Sequence, residues 1–152
     1  MSIGLKGNVD GSGAVQVGGS DAITIDTSLN TTHQGASLSV GATGYTTGAG
    51  GAVTQLTSKA TGVTLNKLTG QITMNNAALA ATTIVSFTLT NSTIAATDII
   101  IFSHVSGGTI GAYTFNAQAA AGSATINVRN ATAGSLSEAI VLGYAVIKGA
   151  IS

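Results

Sequence analysis

The sequence predicts an all-β protein: an N-terminal extended arm followed by an antiparallel, jelly-roll-like β-sandwich. Three observations carry this reading. After residue 52, eight short segments rich in β-branched and aromatic residues alternate with turn residues at close intervals. Within them, Thr82–Thr90 alternates with a period of two, placing Val85, Phe87 and Leu89 on one side and Ser86, Thr88 and Thr90 on the other. Asp98–Val105 behaves differently, because Ile99, Ile100, Ile101 and Phe102 are apolar without alternation. A strand of that kind wants cover on both faces. One cover would be the core of its own domain and the other a neighbouring copy of the chain.

Taken in order, residues 1–40 form the arm. Apolar pairs (Ile3 and Leu5, Val15 and Val17, Ile23 and Ile25, Leu38 and Val40) sit between Gly and Ser, each the size of a strand too short to build a core. Gly7-Asn8-Val9-Asp10-Gly11-Ser12-Gly13 is turn chemistry. Such an arm is expected to order against its own sandwich, a sister subunit or a lattice. Residues 41–52 are a Gly-rich linker, and residues 53–152 are the sandwich and oligomerisation domain. Its strands are expected at Val53–Ser58, Val63–Leu65, Gln71–Met74, Thr82–Thr90, Asp98–Val105, Tyr113–Gln118 and Ala124–Arg129. Asn75–Ala81 reads as a helical turn or a loop. In Glu138–Lys148 the capping box Ser135-Leu136-Ser137-Glu138 would start a helix. Ile140, Val141, Val146 and Ile147, with Gly143 between them, favour an eighth, buried strand.

Composition excludes several classes of function. Without cysteine there is no disulfide or thiolate metal site. Five basic and five acidic residues give zero net charge, which does not suit nucleic-acid binding by counterion release or a polybasic membrane anchor. Met1–Lys6 lacks the basic start and apolar core of a secretory leader. No apolar run approaches the ~20 residues that span a bilayer. A compact chain of this mass exposes on the order of 7,000 Å², hence roughly one charge per 700 Å², several-fold sparser than usual. Such a neutral surface tends to associate. Asn30, Asn91 and Asn130 open N-x-Ser/Thr triplets, which chance supplies in a Thr-rich chain.

Catalytic groups are few, and no catalytic residue, cofactor or metal is expected. Ser103 and His104 point to opposite faces of a strand, and Asp98 lies roughly 20 Å from His104 along an extended chain. His33 lies in the arm. Asp10, Asp21 and Asp26 have no calcium-loop spacing. The Gly-rich windows lack the Gly-Lys-Ser/Thr of a phosphate loop. Tyr45 and Tyr113 would need more aromatic company to form a sugar platform, in a chain with three Tyr, three Phe and no Trp. The residues expected to form core or oligomer interface are Phe87, Ile99, Ile100, Ile101, Phe102, Tyr113, Phe115 and Tyr144.

Four stretches carry a resemblance: Thr61-Gly62-Val63-Thr64-Leu65-Asn66-Lys67-Leu68-Thr69-Gly70-Gln71-Ile72-Thr73-Met74, Val85–Ser92, Ala112–Ala117, and Val128-Arg129-Asn130 with Ser135–Ala139. Over the last two-thirds of the chain this resembles a domain of structural proteins of tailed bacteriophages, including capsid decoration (cement) and fibre-like proteins. The resemblance implies a homo-oligomer, most simply a trimer, attached to a capsid or a tail, and it brings no catalytic residues. The leading expectation is a head decoration protein on the capsid surface, partnered by itself and by the major capsid protein lattice, with no nucleic-acid or membrane partner. A short tail fibre or receptor-binding tip would instead offer loops such as Ser106–Ala112 to host glycans. A glycan-active enzyme would have only Asp98 and Glu138 as a carboxylate pair in the sandwich.

Overall fold

A computed structural model describes residues 3–7, 13–17, 20–25, 31–33 and 43–151 of the chain. The chain divides into two units, Met1–Gly44 and Tyr45–Ser152, so the boundary falls inside the Gly-rich linker. Every described element is a β-strand.

In the first unit, β1 (Ile3–Gly7), β2 (Gly13–Val17), β3 (Ser20–Ile25) and β4 (Thr31–His33) pair in sequence order as one antiparallel sheet. Three of the four expected apolar pairs lie in these strands, and residues 38–40 are outside the described residues. Register sets Ile3 opposite Val17, Leu5 opposite Val15 and Val15 opposite Ile23. The short strands thus pair with one another along the sheet.

The second unit holds the eight expected strands, and it is a β-sandwich. These are β5 (Ala52–Thr54), β6 (Val63–Thr64), β7 (Thr69–Thr73), β8 (Ile84–Thr90), β9 (Ile99–Ser106), β10 (Tyr113–Ala120), β11 (Ser123–Asn130) and β12 (Val141–Ile147). One sheet runs β10-β11-β8-β6 and the other β5-β7-β12-β9. All pairings are antiparallel except β5 with β7 and β6 with β8, so each sheet is mixed. Only the β10–β11 link is a hairpin within one sheet; the other connections cross between layers. Gly122, at φ +76°, makes that hairpin's turn. Asn75–Ala81 is not helical, and Leu79 makes an isolated antiparallel bridge with Leu136. Glu138–Ile140 lead into β12 as extended chain, so the β-branched residues prevail over the capping box.

One core lies between the layers. Ile72, Leu142, Tyr144 and Val146 face Phe87, Leu89, Ile126 and Val128 across it, and each set recurs at every second residue as the pleat requires. Burying an aliphatic side chain of this size contributes about 1.5–3 kcal/mol. Two asparagines are wholly buried at strand ends. Asn130 donates through Nδ2 to the carbonyls of Leu79 (2.9 Å) and Gly134 (2.7 Å), while its Oδ1 accepts from the Thr132 amide and hydroxyl. Asn91 donates to the Lys67 carbonyl (2.7 Å) and accepts from the Thr93 amide and hydroxyl in the same way. Both N-x-Thr triplets are therefore loop-tying motifs whose amide nitrogens are buried. The linker segment is held as well: Tyr45 donates its hydroxyl to the Val146 carbonyl, and Gln71 donates its amide to Gly51.

Candidate functional site

The two outer faces of the sandwich differ in kind. On the β10-β11-β8 sheet the outward residues are mostly polar. Ser86 Oγ lies 2.6 Å from Asn127 Oδ1, and Asn127 Nδ2 donates to Asn116 Oδ1 at 2.7 Å. Thr88, Thr114, Gln118 and Arg129 are exposed beside this ladder, with Ile84 the one large apolar exception. A face built this way is solvated by its own side chains.

The opposite face, on β5-β7-β12-β9, is apolar. Ile99, Ile101 and Val105 on β9 are 59%, 50% and 47% exposed, and Ile147 on β12 is 49% exposed. Ile147 pairs with Ile99 and Ala145 with Ile101, so these side chains lie side by side. Charge is missing from β9 and from the outward positions of β12, β7 and β5, where Thr69, Gln71 and Thr73 supply the polarity. A depression of about 420 Å³ indents this face. Its floor is Gly143, whose missing side chain makes room for Val105: a Cβ there would meet Val105 Cγ2 at 2.7 Å. Ile101, Ser103, Gln71 and Ala145 line its walls.

These positions resolve the apolar run. Ile100 and Phe102 turn inward and pack against the core, Phe102 lying 6.2 Å from the Tyr144 ring. Ile99 and Ile101 turn outward. Within the single chain β9 is the edge of its sheet: one face packs on the core and the other, which the sequence reading gave to a neighbouring copy, is open. The reason is the pleat: alternation puts Ile100 and Phe102 on the core side and Ile99 and Ile101 on the other, so an unbroken run of apolar residues covers the core with one half and faces solvent with the other. Phe87, Tyr113 and Tyr144 are buried core residues, and Phe115 packs partly buried against them. Tyr144 donates to the Lys67 carbonyl at 3.0 Å, and burial pushes its pKa up to about 12.

The titratable groups are engaged structurally. His104 turns inward, edge-on to Tyr113 and Phe115, with Nε2 2.6 Å from the Gly107 carbonyl oxygen. The Asp98 carboxylate accepts the Ala95 amide at 2.8 Å and pairs with Lys148 at 2.5 Å. Those bonds, the Ala95 amide first, hold its pKa below the usual carboxylate value. Glu138 accepts from the Thr109 hydroxyl (2.7 Å), the Thr109 amide and the Tyr113 hydroxyl, which depress its pKa in the same order. Burial and that carboxylate push the Tyr113 phenol up. Lys59 is buried, donating to the carbonyls of Asn75 (2.6 Å) and Glu138 (2.5 Å), and its desolvation lowers its pKa against the pull of Glu138. This Lys59 clamp, with buried Gln55 beside it, was not legible from the sequence, where Lys59 carries no motif.

Asp98 and Glu138 sit at opposite ends of β9, about 25 Å apart at the rise of a strand, far beyond the spacing of a glycosidase pair. His33 and Asp21 lie on β4 and β3, while Asp10 and Asp26 are outside the described residues. Among the described residues no cluster of His, Asp or Glu is arranged to hold a metal ion, and no helix is long and apolar enough to cross a membrane. Comparison with protein-family models, with curated proteins and with solved structures finds no match to this chain.

Proposed function

We propose that this chain is a structural virion protein, a bacteriophage head decoration protein that self-associates and stabilises the capsid lattice. The observation that carries the reading is the open, uncharged face of Ile99, Ile101, Val105 and Ile147 beside the unpaired edge of β9. An apolar face bounded by a sheet edge, on a chain with a polar opposite face, is built for protein contact. The resemblance carried by Thr61–Met74, Val85–Ser92, Ala112–Ala117 and Ser135–Ala139 supplies the kind of assembly. In this reading the first unit docks to the capsid, its strands adding to exposed sheet edges, and the sandwich links neighbouring sites. Many modest contacts then act together through avidity.

Cryo-electron microscopy of particles carrying this protein tests the proposal. Density for the sandwich in regular array on the capsid surface is the expected result. Density confined to the tail tip replaces it with the fibre reading, and density in neither place overturns both.

A further inference from the structure

We propose that two copies of the chain pair through β9, antiparallel about a two-fold axis centred on Ile101, joining their apolar sheets into one eight-stranded sheet. The proposal deepens the self-association above, yet it stands on edge geometry whatever surface the protein decorates. Four observations lead to it. First, β9 is a long edge strand of eight residues that, among the described residues, has β12 on one side only. Every second residue of such an edge presents an unpaired amide and carbonyl.

Second, β9 has almost none of the devices that protect edges. Lys, Arg, Asp, Glu and Pro are missing from Ile99–Ser106. One irregularity exists: β9 carries an extra residue, Val105, opposite the step from Val141 to Leu142. That bulge leaves Ile99–His104 regular, and within it Ile99–Ser103 is the stretch symmetric about Ile101. Third, an antiparallel partner must place outward residues beside outward residues to continue the sheet. Centring on Ile101 does so along that symmetric stretch: Ile101 lies beside its own copy, and Ile99 beside the partner's Ser103. Ile99, Ile101 and Ile147 of both copies then form one contiguous apolar patch.

Fourth, charge selects the occupant. A second copy brings an equally uncharged edge, so no like charges meet across the axis. A basic or acidic peptide strand would find no counter-charge on β9 or on the outward positions beside it. An isologous contact also uses each favourable pair twice. The symmetry is two-fold, in contrast to the trimer that the phage resemblance implies.

The full chain contains no cysteine, which makes the test clean. Ile101→Cys, half-exposed and outside the core, is expected to form a disulfide-linked dimer under mild oxidation. Thr88→Cys, exposed on the opposite sheet, is expected not to. Sedimentation of the wild-type chain at about 100 μM is expected to give a dimer, and Ile101→Lys a monomer whose unfolding midpoint stays near that of wild type. A wild-type monomer or trimer overturns the proposal, as does an Ile101→Lys protein that folds and remains dimeric, or equal crosslinking at Thr88→Cys. If Ile101→Lys fails to fold, the crosslink of Ile101→Cys decides alone. A crosslinked dimer that binds no particle overturns the capsid reading and leaves this one; particle binding by a monomer does the reverse.

Discussion

At the residue scale, the sandwich assigns different costs to side chains that look equivalent in sequence. Ile100 and Ile101 are neighbours of one type, yet only Ile100 packs against the core. Ile100→Asp buries an unpaired carboxylate and is expected to cost several kcal/mol, enough to unfold a marginally stable domain. In the isolated chain Ile101→Asp remains solvated and is expected to stay within about 1 kcal/mol of the wild-type monomer, its cost falling on self-association instead. Urea titration of the two variants separates them. Asn130 shows the opposite surprise, a polar residue with a core role. Its replacement by Ala takes the Thr132 amide's acceptor and one donor each from the carbonyls of Leu79, Ala80 and Gly134, which keep the Leu136 amide, the Thr83 amide and hydroxyl, and the Thr132 hydroxyl. A loss of roughly 1–3 kcal/mol follows, read as a lower urea midpoint with unchanged slope. Nδ2 of Asn91 and of Asn130 is spent on carbonyls, so neither triplet offers an accessible acceptor for a glycan.

At the element scale, the loop from Thr93 to Asp98 is fastened to the residues that follow β12. Lys148 reaches the Thr93 carbonyl and the Asp98 carboxylate, and the Gly149 amide donates to Asp98. Since the folded protein holds Asp98 and Glu138 below their free values, both contribute stability that is complete above pH ~5 and lost as pH falls through their folded values. Asp98→Asn is therefore expected to be less stable than wild type at pH 7 and to show a shallower acid limb in unfolding-midpoint scans. The tyrosines act with the opposite sign. The raised pKa of Tyr144 gives stability that is full below pH 10 and lost between pH 10 and about 12. Tyr144→Phe should flatten that alkaline limb.

These elements also mark what the sequence made legible. All eight strands of the sandwich were visible because turn residues bracket β-branched runs, and alternation oriented β8 and β11 correctly. The edge position of β9 was not visible, because a hydrophobic pattern reports the faces of a strand and not how many strands lie beside it. The parallel pairings of β5 and β6 escaped too, since strands of two or three residues carry no periodicity. Lys59 and the two buried asparagines were hidden for a related reason: their partners are backbone carbonyls, which leave no trace in side-chain composition.

At the scale of the whole molecule, assembly by this protein should depend little on salt. The face proposed to associate has no charged side chain, so screening has nothing to act on. Raising sodium chloride from 50 to 500 mM is expected to leave the self-association constant within about two-fold, and sodium sulfate to strengthen it by favouring apolar burial. Sedimentation across both salts measures this, and a steep weakening with sodium chloride would point to a charged contact elsewhere on the chain.

The place of β12 has a consequence for how the protein is made. β12 lies between β7 and β9, so the second layer has a gap at its middle until residues 141–147 leave the ribosome. Until then β9 hangs beside a missing neighbour, with its isoleucines and both rows of backbone groups unsatisfied. The β10-β11-β8-β6 sheet, the β5–β7 pair and the first unit's sheet contain no residue of β12 and can pair before it emerges. The nascent chain thus passes through a window in which its most aggregation-prone segment is its least protected. Slower synthesis over residues 107–140 would lengthen that window, and crowded polysomes translating this message would bring unpaired β9 strands together before any of them had folded.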